Sequence, residues 1–161
     1  MPIRDAMASD AEAIIGIYNP YVVGTTITFE ETPVGADEMR ERIAVNGHDF
    51  AWLVHEEGGR VLGYAYASKW KARSAYRFSA ESTVYVDERS TGRGLGRLLY
   101  SALLDRLSEK GVHAVMGGIT LPNERSVGLH EALGFERVAL FPEVGYKMGR
   151  WLDVGYWAKR L

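Results

Sequence analysis

The stretch Thr83-Val84-Tyr85-Val86, followed by Gly92-Arg93-Gly94-Leu95-Gly96 and then Leu98-Leu99, decides the fold of this chain. It predicts a buried strand, a glycine-rich turn and an amphipathic helix, in that order. Glycines at alternate positions leave backbone N–H groups uncovered. The first turn of the helix adds unpaired N–H groups and the positive end of its dipole. A strand, loop and helix of this kind hold a phosphate or pyrophosphate, which implies a nucleotide-like cofactor. A glycine-rich turn without a ligand is the plainer alternative, but one glycine would suffice for a tight turn.

The spacing G-x-G-x-G narrows the choice. A dinucleotide fingerprint needs G-x-G-x-x-G near the start of a βαβ unit, with an acidic residue about 20 positions on. A nucleoside-triphosphate loop needs a Gly-Lys-Ser or Gly-Lys-Thr, and the chain has neither. The stretch Thr91-Gly92-Arg93-Gly94-Leu95-Gly96 instead resembles the acyl-CoA loop of the GNAT N-acetyltransferases, usually [QR]-G-x-G-[IL]-G after a long strand. Thr91 departs from that pattern, and Arg93 lies close enough in sequence to supply the missing charge.

The resemblance extends over most of the chain. Trp70-Lys71-Ala72-Arg73, Ala75-Tyr76, Ala80-Glu81-Ser82-Thr83-Val84-Tyr85-Val86, Leu121-Pro122-Asn123, His130-Glu131-Ala132-Leu133-Gly134 and Trp151-Leu152-Asp153-Val154-Gly155-Tyr156-Trp157 are similar to the phosphinothricin N-acetyltransferases. Gly149-Arg150-Trp151-Leu152-Asp153 is shared with relatives that acetylate methionine sulfoximine. The resemblance implies the GNAT fold, an α/β architecture with a mixed central sheet, helices on both faces and a splayed central strand pair that takes the pantetheine arm.

Composition bounds the rest. A length of 161 residues suits a single domain over 1–161 with a core of useful size. The 19 basic and 21 acidic residues give a net charge of −2, which argues against a nucleic-acid partner. No apolar run reaches the length of a membrane span, and the N-terminus has no signal-peptide core. Without cysteine there is no disulfide, thiol nucleophile or thiolate–zinc site. The histidines at 48, 55, 113 and 130 include no H-E-x-x-H, so no metal is expected. A cytoplasmic enzyme is the simplest reading.

The element pattern is a strand over Ile3–Ala6, then a helix opened by a Ser9–Glu12 capping box and ended near Asn19-Pro20. Thr25–Glu31 reads as irregular, with some extended character. A second helix covers Ala36–Val45. Strands Ala51–His55 and Val61–Ala67 form a hairpin, and Phe78–Val86 is the long strand. The next helix presents Leu98, Leu99, Ala102, Leu103 and Leu107 on one face and ends at Gly111. Ala114–Thr120 is a strand, Asn123 caps a helix that Gly134 closes, and Val138–Phe141 and Gly145–Trp157 are the last strands. Mixed order of this kind suits a sheet flanked by helices.

Acetyl transfer to an amine needs a neutral nucleophile, a stabilised oxyanion and a proton for the leaving thiolate. Glu81 is the candidate base, directly or through water. A carboxylate on an otherwise apolar strand costs free energy unless it has a role or partners, and burial moves its pKa toward neutrality. The resemblance gives the matching glutamate this role; a solvent-facing residue or a partner of Arg77 is the alternative. His130, seven residues after Asn123, stands where many GNAT enzymes carry a tyrosine acid. Imidazole either assists deprotonation or serves as the acid; a helix-surface histidine is the alternative. His48, His55 and His113 read as surface or packing residues.

For the cofactor, acetyl-CoA, the expected contacts are Val84, Tyr85 and Val86, the loop Gly92, Arg93, Gly94, Leu95, Gly96 and Arg97, and Asn123 on the pantetheine amides. The segment Trp70–Arg77 interleaves cations with aromatics, which suits a small zwitterion. Arg73 can hold a carboxylate or phosphinate bidentately, and Lys71 adds a point charge. The resemblance puts Phe29, Lys71, Arg73 and Tyr76 at substrate-contacting positions; a solvated loop is the alternative. Trp151, Trp157, Tyr146 and Tyr156 suit either core packing or a homodimer interface. The expected acceptor is the α-amino group of a small amino acid such as phosphinothricin or methionine sulfoximine. The rivals are acetylation of a polyamine or peptide N-terminus, and a CoA-binding regulatory module without turnover. Polyamine sites need acidic linings, and Lys71–Arg77 is cationic.

Overall fold

The structure, a computed structural model, describes residues 2–161. Seven strands form one sheet in the order β1-β2-β3-β4-β5-β7-β6. They are β1 (Ile3–Asp5), β2 (Trp52–Glu57), β3 (Arg60–Lys69), β4 (Ser79–Val86), β5 (Ala114–Leu121), β6 (Glu136–Lys147) and β7 (Arg150–Arg160). The helices are α1 (Ala11–Gly24), α2 (Ala36–Asp49), α3 (Leu95–Glu109) and α4 (Glu124–Ala132). Neighbouring strands are antiparallel except β4 and β5.

The β2 run is apolar because both faces of the sheet are covered. Trp52 and Val54 pack with Ile14, Ile17 and Met39 of α1 and α2, while Leu53 between them packs with Leu99, Leu103 and Leu107 of α3. The second face also takes in Val115, Ile119, Phe135 and Trp157. The expected mixed sheet with helices on both faces is therefore present.

One irregularity creates the site. β4 and β5 pair only over Ser79–Glu81 against Ala114–Met116. Both strands continue, to Val86 and to Leu121, but apart. Two adjacent glycines on β5 make room at the opening. A Cβ on Gly117 would lie 2.5 Å from His130 Nε2, and one on Gly118 would lie 3.0 Å from the Tyr156 ring.

Several boundaries differ from expectation. α1 runs through Pro20 to Gly24. Asn19 does not end it, because its side-chain amide is bonded to the backbone of Val34 in both directions. Burial of Tyr18 and Val22 on either side of the proline offsets the lost hydrogen bond. The capping box is also displaced. Asp10 accepts from the Met7 N–H at 2.7 Å and from the Arg4 guanidinium at 2.9 Å on each oxygen. That ionic anchor holds its carboxyl below the usual range and leaves the Glu12 side chain in solvent. α2 continues past Val45 to Asp49. On α3, Leu98 is exposed, and Leu95, Tyr100 and Leu104 complete the buried stripe. The expected strand Gly145–Trp157 is cut by a two-residue turn, Met148 (φ 54°) and Gly149 (φ 74°), that pairs Lys147 with Arg150. Positive φ at both positions is the hairpin geometry that matches strand twist, and methionine gives no sequence signal for it. Of the late aromatics, Trp157 is core, whereas Tyr146 and Trp151 stack on each other in the open.

Candidate active site

A cleft of about 430 Å³ runs along the opened edge of β4 and reaches the start of α3. Asp87 fixes the chain just after the strand. Its carboxylate accepts from the Arg89 N–H at 2.9 Å and binds the Arg60 and Arg89 guanidiniums, which hold its pKa down at about 2. The glycine loop follows, with Gly92 (φ 80°) and Gly94 (φ 75°) in the left-handed region that other L residues avoid. Leu95, Gly96 and Arg97 then begin α3, whose first turn holds no acidic residue. Unpaired N–H groups, a positive dipole end and the cations Arg97 and Arg125 thus face the same cleft. This donor set fits a pyrophosphate.

Of the residues expected at the cofactor, Val84, Tyr85, Val86, Gly92, Gly94, Leu95, Gly96, Arg97 and Asn123 line the cleft. Arg93 does not. Its guanidinium is turned out to Glu57, 3.0 and 3.1 Å from the two carboxylate oxygens, so it supplies no charge there in place of Thr91. The Asn123 side-chain oxygen accepts from the Ser126 N–H at 3.2 Å and caps α4. The cap uses only that oxygen and leaves the amide N–H₂ free for the cleft.

The backbone of β4 contributes as well. The Asp87 N–H bonds the Leu62 carbonyl of β3 at 2.8 Å. By the alternation of an antiparallel pair, the peptide groups of Tyr85 and Thr83 also turn to β3. Those of Val84 and Val86 turn to the side that β5 has left. The Tyr21 hydroxyl donates to the Val86 carbonyl at 2.6 Å, which leaves the N–H groups facing the gap.

A smaller cavity of about 190 Å³ continues the cleft through the sheet, sharing Ile27, Val84, Tyr85, Asn123 and Ser126 with it. Glu81, on the last paired rung, lines it. Among the described residues Glu81 has no hydrogen bond and no ion pair. Arg77 instead donates to the Ser74 carbonyl and lies 4.5 Å from the Phe78 ring. Burial pushes the Glu81 carboxyl above its ordinary value, and the charge of Lys71 opposes the shift.

His130 reaches the cavity from the α3 side of the sheet. It is 5% exposed, not a surface residue of α4. Its Nδ1 is 2.7 Å from the Ser126 carbonyl, and its Nε2 is 2.9 Å from the Tyr100 hydroxyl. Tyr100 in turn touches the Ser82 hydroxyl. Burial lowers the His130 pKa and so favours the neutral ring, while the Ser126 carbonyl opposes the shift.

The acceptor end is less closed. The Lys71 ammonium lies 5.1 Å from the Trp70 ring, whose edge meets Tyr156, and the Tyr156 hydroxyl feels the Glu81 charge. Arg73 precedes and Tyr76 ends the exposed turn Ser74–Tyr76, and neither lines the cavity. Phe29 lies over Gly145 of β6, while its neighbour Thr28 lines the cavity and is held by Lys147 at 2.7 Å. The sequence reading missed Ser82, Tyr100 and Ser126 as members of the site, along with the Tyr156 wall. A signal existed for Tyr100, since a tyrosine on the buried stripe of a helix needs a partner for its hydroxyl.

Comparison with known proteins agrees with this geometry. The acetyltransferase (GNAT) domain profile matches residues 3–155. The phosphinothricin N-acetyltransferase of Streptomyces viridochromogenes is 42% identical over 157 residues, 98% of this chain and 86% of that one. The L-methionine sulfoximine/L-methionine sulfone acetyltransferase of Pseudomonas aeruginosa is 38% identical over 96% of this chain and 91% of its own. A GNAT superfamily phosphinothricin acetyltransferase from Sinorhizobium meliloti, solved in complex with AcCoA, superposes with a TM-score of 0.95 at 37% identity, covering 100% of this chain and 89% of that one. The splayed strands, the glycine loop at the start of α3 and the match along nearly the whole chain have one reading: the chain belongs to the GNAT acetyltransferase family.

Proposed function

We propose that this enzyme, one catalytic domain over its whole length, moves the acetyl group of acetyl-CoA to the α-amino group of a small amino acid with a second anionic or strongly polar end. Phosphinothricin and methionine sulfoximine, the substrates in the names of its relatives, are the guides. The observation that carries the reading is Glu81, a half-buried and unpaired carboxylate where the cofactor cleft opens through the sheet. Cations on the adjoining loop supply the acidic substrate's counter-charge.

Acetyl-CoA supplies an activated thioester. The N–H groups of the Gly92–Arg97 loop and the α3 start hold its pyrophosphate, with Arg97 and Arg125 beside them. The Val84 and Val86 N–H groups hold the pantetheine arm and polarise the thioester carbonyl. Glu81 takes the proton that frees the amine, directly or through one water, and its raised pKa suits the task. Lys71 and Arg73 hold the acidic end of the amino acid, with Phe29 and Tyr76 as walls once the acceptor is bound. His130 does not start as an acid: the Ser126 carbonyl only accepts, so the proton is on Nδ1 and Nε2 carries a lone pair.

The reading includes a homodimer in the cytoplasm, where acetyl-CoA is available. β6 is an edge strand, and Val138, Leu140, Val144 and Tyr146 are exposed along it, an apolar edge that a second copy would cover. No helix among the described residues is long and apolar enough to cross a membrane.

CoA release, followed with a thiol reagent, tests the activity. L-phosphinothricin, L-methionine sulfoximine, L-methionine sulfone, spermidine and a short peptide are compared at equal concentration. Turnover of one of the first three at least about tenfold faster than the polyamine and the peptide is expected, a margin that one charged hydrogen bond to the substrate supplies. A preference for spermidine or the peptide would replace the acceptor. No release with any of them, despite CoA binding, would leave a cofactor-binding module.

A further inference from the structure

We infer that Tyr100 is a positioning residue of the transfer reaction: it joins the Ser82 hydroxyl to the His130 imidazole in one directed hydrogen-bond chain in the cavity wall. The inference rests on the proposed transfer activity and adds to it a residue outside the predicted site.

The direction of the chain follows from its end. The Ser126 carbonyl can only accept, so it fixes the imidazole proton on Nδ1, 2.7 Å away. Nε2 is then an acceptor, and its one neighbouring donor is the Tyr100 hydroxyl at 2.9 Å. Tyr100 therefore gives its proton to His130 and presents its oxygen to the Ser82 hydroxyl. The alternative for Ser82, the Met116 carbonyl, is 3.4 Å away and weak.

The surroundings keep this chain isolated. Tyr100 is 0% exposed, and Phe135 packs edge-on against both its ring and the imidazole. β5 faces the pair with Gly117, where any side chain would displace the imidazole. From β4 the titratable neighbour is Glu81, whose charge is felt at Tyr100. The three side chains come from α3, β4 and α4, and each lines the same cavity as Glu81. Two proton acceptors thus serve one opening. Glu81 lies on the α1–α2 face with Tyr66 and Tyr85, and the Tyr100–His130 pair lies on the α3 face.

The chain can carry one proton each way. A proton leaving the acylated amine nitrogen passes to the Ser82 oxygen, that of Ser82 to Tyr100, and that of Tyr100 to Nε2. The result is an imidazolium with both hydroxyls restored. The reverse shift delivers one proton to the departing thiolate and returns the ring to neutrality. Without the Tyr100 hydroxyl the transfer is broken, although His130 and Ser82 remain.

The test uses Tyr100→Phe, Ser82→Ala, His130→Asn and the Tyr100→Phe/His130→Asn pair, with the amino acid that the wild type turns over best. Tyr100→Phe is expected to lower kcat about 10-fold to 100-fold, up to the low end of a lost acid–base contribution, and to leave KM for acetyl-CoA within about twofold. The pair should lose no more than the worse single variant, because one chain is being cut twice. Calorimetric acetyl-CoA binding checks folding. Should Tyr100→Phe fail to fold, Ser82→Ala, which removes one oxygen from the chain, carries the same expectation. In ¹⁵N-imidazole NMR of the wild type, His130 should show the Nδ1–H tautomer. Wild-type kcat in Tyr100→Phe or Ser82→Ala, losses that multiply in the pair, or an Nε2–H tautomer would overturn the inference. A wild type silent toward every amine would instead overturn the proposed activity, and this role with it.

Discussion

The two ends of the cleft are built from different material. The proposed cofactor end is backbone: glycine N–H groups, the first turn of α3 and the peptide edge of β4. The proposed acceptor end is side chains: Glu81 from β4 and Thr28 from the α1–α2 loop, with Lys71 from the β3–β4 loop and Tyr156 from β7 beside them. A backbone site is set by where the chain turns, and it leaves a local signature in sequence. A side-chain site is set by which distant elements meet. The first end should therefore fail through conformation and the second through chemistry, and substitutions can separate the two.

The largest effect is expected at Glu81. Glu81→Gln keeps the shape and removes the base, so kcat should fall by about 10²–10⁴ while KM for acetyl-CoA stays within about twofold. Steady-state rates with saturating acetyl-CoA decide it, and an unchanged kcat removes Glu81 from the mechanism. The pH dependence has a definite sign. The base must be ionised, so kcat should drop as pH falls through the raised pKa, on an acid limb above 4.5 that is absent in the variant. Stability runs the other way. A carboxyl whose folded pKa is raised contributes fully below its unfolded value, and that contribution is lost as pH rises through the folded one. At a pH above its raised folded pKa the ionised, half-buried Glu81 weakens the fold, so there Glu81→Gln should melt at or above the parent temperature. A clearly lower Tm would mean that Glu81 has a stabilising partner.

Conformation is tested at the glycine loop. Gly94 holds φ 75°, and a Cβ there meets nothing within 4 Å, so Gly94→Ala isolates backbone strain. An alanine there relaxes in the free loop and must regain the conformation to bind, so strain of about 1–2 kcal/mol should weaken acetyl-CoA binding by roughly 5-fold to 30-fold with kcat nearly unchanged. At Gly96, inside α3, a Cβ would sit 3.7 Å from Val86 and 3.8 Å from Leu129, in ordinary contact. Gly96→Ala should bind acetyl-CoA within about twofold of the parent. Calorimetric titration of both variants reads the difference, and equal losses would mean that bulk in the cleft, not conformation, sets affinity.

Chemistry at the open end is tested at Arg73. Its side chain is exposed and makes no hydrogen bond or ion pair among the described residues, so Arg73→Ala should leave stability alone. If Arg73 closes on the acidic end of the amino acid, KM for that substrate should rise about 10-fold or more, the loss of one charged hydrogen bond, with KM for acetyl-CoA unchanged. Equal effects on both substrates would assign Arg73 elsewhere.

The same division explains what could be read from sequence. The loop, α3 and the strand before them were legible because glycine spacing and apolar periodicity are local. Glu81 stood out as a charge on an apolar strand, and the structure leaves it unpaired in the opening. Tyr100 did not stand out, because on α3 it looks like one more large residue on the stripe; its hydroxyl finds its partners on distant elements, Ser82 of β4 and His130 of α4. The Met148-Gly149 turn was hidden by a residue that rarely adopts positive φ. The run of α1 through Pro20 depends on Val34, far along the chain, binding Asn19. The outward turn of Arg93 was hidden for the same kind of reason: its neighbours in sequence point to the cofactor, whereas its partner in this structure is Glu57 of β2.

That partner makes the smallest and most specific prediction. Arg93 sits between two glycines that face the cleft, yet its guanidinium is bound to Glu57. Glu57 is itself anchored by a bond of 3.0 Å from buried His55. The Arg93–Glu57 pair is exposed, so the bond is weak and screened by salt. If a bound cofactor phosphate draws Arg93 away from Glu57, the two compete for the same cation. Glu57→Gln keeps an oxygen for His55 and removes the competing charge, and KM for acetyl-CoA should fall by roughly twofold to threefold at low ionic strength. The gain should vanish at high salt, and it should be absent when Arg93→Ala is added, because the freed cation is then gone. A KM that ignores Glu57→Gln at low salt would fix Arg93 as a structural residue of the loop, and the cofactor end would then be backbone with only Arg97 and Arg125 beside it.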